Sequence, residues 1–259
     1  MALLKAWAAA AALAATGSSS LPVVEPAPAA RGDHRLGHGT TLQQSGQLPD
    51  VTPYPVRGVD VSHYEGDIDW ARVAGAGVDF AYIKATEGES FVDDMFAANW
   101  SSAAAAGIAR GAYHFYDFCE TGAAQARAFS AVVPRDAAAL PPVLDLERSN
   151  DCATMPPRAA FLKDLADYAA AMRAAYGRDP ILYVNADIVD RYFTGAPVPY
   201  LLWVADPFHA APQVPDGLAW AFWQYSWNGT VAGIASGVDL DAYALGAADL
   251  RRLAGPGTY

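Results

Sequence analysis

From Arg57 onward the chain alternates short apolar runs with segments of helical periodicity, the pattern of a β/α domain. Eight runs read as strands: 58–62, 80–86, 110–116, 142–147, 181–185, 201–205, 221–226 and 237–241. Three intervening segments read as helices. The stretch 94–106 is alanine-rich and stops at Gly107, as a helix C-terminus should. The stretch 121–131 has Thr121 as its N-cap and ends before Pro134. The clearest helix, 156–176, has prolines in its first turn, an apolar stripe of Phe161, Leu165, Tyr168 and Met172, and Gly177 at its end. Later connections are too short and proline-rich for full helices. The pattern therefore predicts an α/β fold, an irregular TIM-like β/α barrel with eight strands and fewer than eight helices. No internal repeat is visible.

Before Arg57 the periodicity is absent. Lys5, an apolar alanine-rich run at 8–15 and the A-x-A tripeptide Ala12-Leu13-Ala14 predict a signal peptide over 1–15, and hence a periplasmic or secreted protein. The run is short for a membrane span, and no cysteine follows it to take a lipid. Residues 16–53 are rich in Ser, Pro, Gly, Gln and His and read as a flexible linker. His34 and His38, four residues apart without helical context, read as solvated. The folded domain is expected over 54–259. No later stretch is long and apolar enough to cross a membrane, so the mature protein is not expected to insert into one. A net charge of −11 and a pI near 4.7 argue against nucleic acid or an anionic membrane as the main partner. The 53% apolar fraction is ample for a core.

The chemistry gathers on Leu140-Pro141-Pro142-Val143-Leu144-Asp145-Leu146-Glu147. This is an apolar strand opened by prolines and closed by two acids. Spacing i, i+2 in a strand points Asp145 and Glu147 to one face, with Cα atoms roughly 6.6 Å apart. Crowding two carboxyls separates their pKa values, so that one can donate a proton while the other stays anionic. A strand end emerging into solvent is the plain alternative. In a β/α barrel the active site lies at the C-terminal strand ends, and polar groups accumulate there. They include Asp60 on the first strand, Lys84 and Glu87 on the second, Asp145 and Glu147 on the fourth, and Asp239 and Asp241 on the last. Aromatic residues beside carboxylates suit a sugar ring. Tyr64, Tyr82, Tyr113, Tyr183, Trp203 and Trp223 are candidate contacts, with Glu87, Asn185 and Gln224 as polar partners. Other readings stay open: Asp60 with Ser62 as a turn or cap, Lys84 with Glu87 as an ion pair, His114 as a hydrogen-bonded core residue, and both tryptophans as core. Glu65, Asp67 and Asp69 read as a solvated loop. No phosphate-binding glycine loop, HExxH pair or G-x-S-x-G elbow is present.

The ordered set Asp60-Val61-Ser62, Gly66-x-Ile68-Asp69-Trp70, Lys84-Ala85-Thr86-Glu87-Gly88, Gly111-Ala112-Tyr113-His114-Phe115, Asp145-Leu146-Glu147, Trp223-Gln224-Tyr225 and Val238-Asp239 resembles the glycoside hydrolase family 25 lysozymes, the N,O-diacetylmuramidases. The likeness covers about residues 57 to 243. It implies an irregular β/α barrel that cleaves the β-1,4 bond between N-acetylmuramic acid and N-acetylglucosamine in peptidoglycan glycan strands. It also implies Glu147 as proton donor, Asp145 as its partner, and Asp60 and Asp239 as further active-site carboxylates. Asp145 would attack directly or orient the substrate's acetamido group. No cofactor or metal is called for, and a monomer is expected. A non-catalytic glycan-binding barrel and a D-x-E hydrolase of chitin-like polymers are the rival readings. Cys119 and Cys152, too few for a zinc site or a disulfide-dense scaffold, follow consecutive strands and are expected to form a disulfide in an exported protein.

Overall fold

The computed structural model describes residues 48–148, 152–195, 197–215 and 218–255. The expected export signal, most of the linker, and His34 and His38 lie outside these residues. Ordered packing reaches back to Val51, which with Tyr54 rests against the outer core.

Among the described residues, nine strands form one sheet: β1 (Val56–Val61), β2 (Phe80–Glu87), β3 (Phe91–Val92), β4 (Ala109–Phe115), β5 (Val143–Leu146), β6 (Ile181–Val184), β7 (Leu202–Ala205), β8 (Trp220–Gly229) and β9 (Val238–Tyr243). Pairing runs β1-β9-β8-β7-β6-β5-β4-β2, and a further β1–β2 pairing closes these eight into a barrel, leaving β3 as a hairpin arm on β2. The expected eight-stranded irregular barrel is the one observed. One strand of the closed barrel departs from the parallel pattern. β9 pairs antiparallel with both β8 and β1. The connection from Gly229 to Val238 is a short loop, whereas a parallel return would need a crossover of about a dozen residues or more.

Around the barrel lie α1 (Trp70–Gly75), α2 (Phe96–Ala105), α3 (Gly122–Val132), α4 (Arg158–Tyr176), α5 (Ala186–Ile188, continued by a wide π-type turn through Phe193) and α6 (Ala247–Ala254). The three helices expected from periodicity are α2, α3 and α4. α1 and α5 are too short to show a period, and α6, which buries Leu250, Leu253 and Ala254, is not among the helices expected. In α1, the Asp69 side chain accepts the Arg72 N–H at 3.1 Å, so an acid read as part of a solvated loop is an N-cap.

Strand alternation divides the apolar residues into two cores. Val59, Val61, Ala81, Ile83, Leu144, Leu146, Leu182, Val184 and Trp223 point outward, against Trp70, Phe129, Phe161, Leu165, Tyr168 and Met172 of the helices. Phe80, Tyr82, Val143, Ile181, Trp203, Phe222 and Tyr243 point inward and fill the barrel. Two glycines make that filling possible. A Cβ at Gly58 would lie 2.3 Å from the Phe80 ring, and one at Gly111 would lie 2.1 Å from the Tyr82 ring. The bulky rings of β2 thus occupy the side-chain space that its two neighbours leave vacant.

Candidate active site

Above this aromatic filling the inward positions turn polar. Asp60 ends β1, Asp145 lies in β5 with Glu147 just beyond it, and Asp239 begins β9. Because β9 runs backwards, its N-terminal end meets the C-terminal end of β1, and Asp239 sits directly opposite Asp60 in register. All four carboxylates line one cleft with Ser62, Tyr64, Glu65, Lys84, Tyr113, Phe115, Tyr183, Trp203 and Gln224. The cleft contains about 700 Å³ of free space, counting that open to solvent.

Gln224 ties one wall together. Its Nε2 donates to Asp60 Oδ2 at 2.8 Å and to Asp239 Oδ2 at 3.2 Å, while its Oε1 accepts the Tyr183 hydroxyl and the Trp227 indole N–H, each at 2.8 Å. A buried glutamine with both ends engaged can have only one orientation, which fixes two acids and two aromatic rings at once. On the other wall, Asp145 is only 7% exposed, and its Oδ1 is buried without a hydrogen-bond partner among the described residues. Lys84 Nζ lies over the Phe115 ring, 4.8 Å from its centre, and donates to Glu87 Oε2 at 2.6 Å.

Four acids in a desolvated space resist ionisation. Burial holds Asp60 well above the usual carboxylate range, helped by the charge of Asp241 and opposed by the Gln224 hydrogen bond. Burial also raises Asp145, with Glu147 and Asp60 adding repulsion and Lys84 opposing. Glu147 is raised by burial and eased down by Lys84. Asp239 is pushed up to about 8 by burial and the charges of Asp60, Glu65 and Glu147. Both members of the adjacent pair Asp145–Glu147 are thus pushed toward the protonated form, with burial as the leading cause.

The remaining candidates divide. Tyr64, Tyr113, Tyr183, Trp203 and Gln224 line the cleft. Four others have different positions. Tyr82 lies one layer deeper, its hydroxyl donating to the Pro141 carbonyl at 3.3 Å. Asn185 caps α5, accepting the Ile188 N–H at 3.1 Å. Trp223 faces outward and donates to the Asp206 carbonyl at 2.9 Å; its neighbour Gln224 takes the inward position. Glu87 pairs with Lys84 outside the cleft lining. His114 is a core residue, bonded to Thr86 and Gln125 and stacked on Tyr168.

Two features, one in the cleft and one bonded to its wall, escape the sequence reading. Glu65, expected in a solvated loop, forms a capping box with Ser62, its Oε2 accepting the Ser62 N–H at 2.7 Å. The S-x-x-E spacing was the available signal. Trp227, 45% exposed, packs edge-to-face on Phe208 with centroids 4.9 Å apart, its indole held by Gln224. Nothing local distinguishes it from any other surface tryptophan.

Cys119 and Cys152 are joined by a disulfide, their Cα atoms 5.4 Å apart, tying the loop after β4 to the loop after Glu147. With Asp117 they bring three potential ligand atoms within 4.8 Å, but the bond between the sulfurs withdraws both from metal binding.

Raised, paired carboxyls at one rim of a β/α barrel, facing an open cleft walled by aromatic rings, define a glycoside hydrolase. Known proteins agree. The sequence profile of the glycosyl hydrolases family 25 matches residues 59–234. Lysozyme M1 of Streptomyces globisporus is 38% identical over 247 residues, 86% of this chain and 82% of that protein. N,O-diacetylmuramidase of Chalaropsis sp is 36% identical over 139 residues, 50% of this chain and 66% of that protein. Among solved structures, a family 25 glycosyl hydrolase from Bacillus anthracis superposes with a TM-score of 0.74 at 33% identity, covering 79% of this chain and 96% of that one. The bacterial lysozyme from Streptomyces coelicolor gives 0.68 at 38% identity, covering 77% and 96%. The chain belongs to the glycosyl hydrolases family 25.

Proposed function

We propose that this protein is a muramidase that hydrolyses the β-1,4 bond between N-acetylmuramic acid and N-acetylglucosamine in peptidoglycan. The observation that carries the reading is the convergence of Asp60, Asp145, Glu147 and Asp239 on one cleft. The lysozyme and N,O-diacetylmuramidase relatives support the choice of glycan.

Glu147, at the cleft mouth, gives its proton to the glycosidic oxygen as the bond from that oxygen to C1 breaks. Positive charge then develops at C1 and the ring oxygen, where the neighbouring carboxylates stabilise it. Asp145 meets that cation as nucleophile, or aligns the substrate's own acetamido oxygen to do so. A water then attacks C1, giving its proton back to Glu147, and the freed sugar keeps its configuration by either route. Export of the mature chain, read from residues 1–15, would place it where peptidoglycan lies.

Digestion of purified peptidoglycan followed by mass spectrometry of the released fragments tests the bond. Products with N-acetylmuramic acid at the reducing end are expected. Reducing-end N-acetylglucosamine, or cleavage of chitin oligomers in preference to cell walls, overturns the assignment. Binding without turnover would instead leave a glycan-binding barrel.

A further inference from the structure

Beneath the cleft lies a carboxyl that the reaction above does not use. Asp241 follows Asp239 by two residues on β9, so strand alternation points both into the barrel. Asp241 is 0% exposed. Its Oδ1 accepts the Trp203 indole N–H at 2.9 Å, and its Oδ2 is buried with no conventional donor among the described residues. The register of β1 on β9 sets Asp60 opposite Asp239 and so diagonally beside Asp241 on the same inward face, where each carboxyl bears on the other's ionisation.

Among the described residues, the surroundings hold nothing that neutralises two charges. From β1 comes Asp60, from β2 Tyr82, from β7 Trp203, from β8 Gln224, and from β9 itself Asp239 and Tyr243. Tyr225 lies on the outer side of the sheet. No lysine or arginine is among these groups. Two desolvated carboxyls side by side, without a cation, cannot both be ionised. A proton between them removes one charge and supplies the donor that Oδ2 lacks.

We infer that Asp241 is a positioning residue, holding one proton jointly with Asp60 so that their hydrogen bond fixes Asp60 as a singly charged pair at the cleft floor. Asp60 is thereby held with Oδ2 on Gln224, and Gln224 in turn reaches Asp239. The whole wall on β1, β8 and β9 is aligned from below. This wall faces β5, four strands away from β9 in the closed ring of eight, which carries Asp145 and leads to Glu147. The inference rests on the proposed role of this cleft in glycoside cleavage.

Asp241→Asn separates a shared proton from a required second charge. The amide keeps an oxygen for Trp203, offers an N–H to Asp60, and leaves the pair with the same net charge of one. Asp241→Ala removes both contacts. With peptidoglycan as substrate, Asp241→Asn is expected to keep kcat within about threefold and the pH profile unchanged. Asp241→Ala is expected to lose more than about tenfold in kcat, since misplacing an active-site group is costly. The limb of its pH profile set by Asp60 should move to lower pH, because Asp60 loses the neighbouring carboxyl whose charge and hydrogen bond help it keep a proton. Equal damage in both variants, or an unshifted profile in Asp241→Ala, overturns the inference. Should Asp241→Ala fail to fold, infrared difference spectra of wild type against Asp241→Asn at neutral pH decide the matter without turnover. A protonated-carboxyl stretch present in wild type and missing in the variant is expected, and its absence from wild type refutes the shared proton. If wild type cleaves no glycan yet shows this band, the functional reading fails and the proton pair stands.

Discussion

Inside the barrel two layers of side chains, one alternation step apart along the same strands, have opposite chemistry. On β5 Val143 lies below and Asp145 above; on β6 Ile181 lies below Tyr183; on β8 Phe222 lies below Gln224. On the reversed β9 the order inverts, with Tyr243 below and Asp241 then Asp239 above. The lower layer is a dry plug in which Phe222 packs on Phe80, Tyr82 and Tyr243 at centroid distances of 4.8–5.7 Å. The upper layer rests on that plug and inherits its low polarity, which is why burial leads the causes of every raised carboxyl there. The plug carries stability and the rim carries chemistry, and each depends on the other being two residues away.

The sharpest separation of the two layers is Glu147→Gln. It should leave the melting temperature nearly unchanged while lowering kcat by about 10²–10⁴-fold, the usual loss of a general acid. A well-folded variant keeping more than about a tenth of the wild-type rate would remove Glu147 from that role. The converse substitution is Phe222→Ala in the lower layer. It should cost about 3–5 kcal/mol in denaturant unfolding, through lost transfer free energy and a cavity. A loss below about 1 kcal/mol would show that the plug is not what supports the rim.

The disulfide tests whether the upper end needs support beyond the plug. Replacing Cys119 and Cys152 by serine opens a 33-residue separation. It should lower stability by roughly 3–4 kcal/mol, less any strain released. An unchanged denaturation midpoint would assign the bond no stabilising role.

A pH dependence tests the upper layer by another route. Asp239 has a folded pKa of about 8 against an ordinary value of 3.8, so between these values the unfolded chain has released a proton that the folded chain keeps. Its contribution is fully present below pH 3.8 and is lost as pH rises toward about 8. Wild type should therefore lose melting temperature relative to Asp239→Asn over that window. Parallel curves for the two proteins would mean that Asp239 is not held protonated.

Much of this molecule was legible in residue order alone. Period-two alternation is a local property of the backbone, so the strands, the common face of Asp145 and Glu147, and the three longest helices could be read without knowing the fold. Caps were legible in principle, although the Ser62–Glu65 box and the Asp69 cap passed for loop.

Tertiary structure decided the rest, because alternation says which residues share a face and never which face closes inward. Trp203 and Trp223 looked equivalent; closure turned Trp203 toward Asp241 and Trp223 toward the helices. The reversal of β9, imposed by a loop too short for a crossover, put the start of that strand rather than its end at the rim. Asp239 and Asp241 share one face, and burial by the neighbouring strands separated the acid that meets the cleft from the one sealed beneath it. Desolvation depends on everything packed around a group, and no short stretch of sequence contains that information.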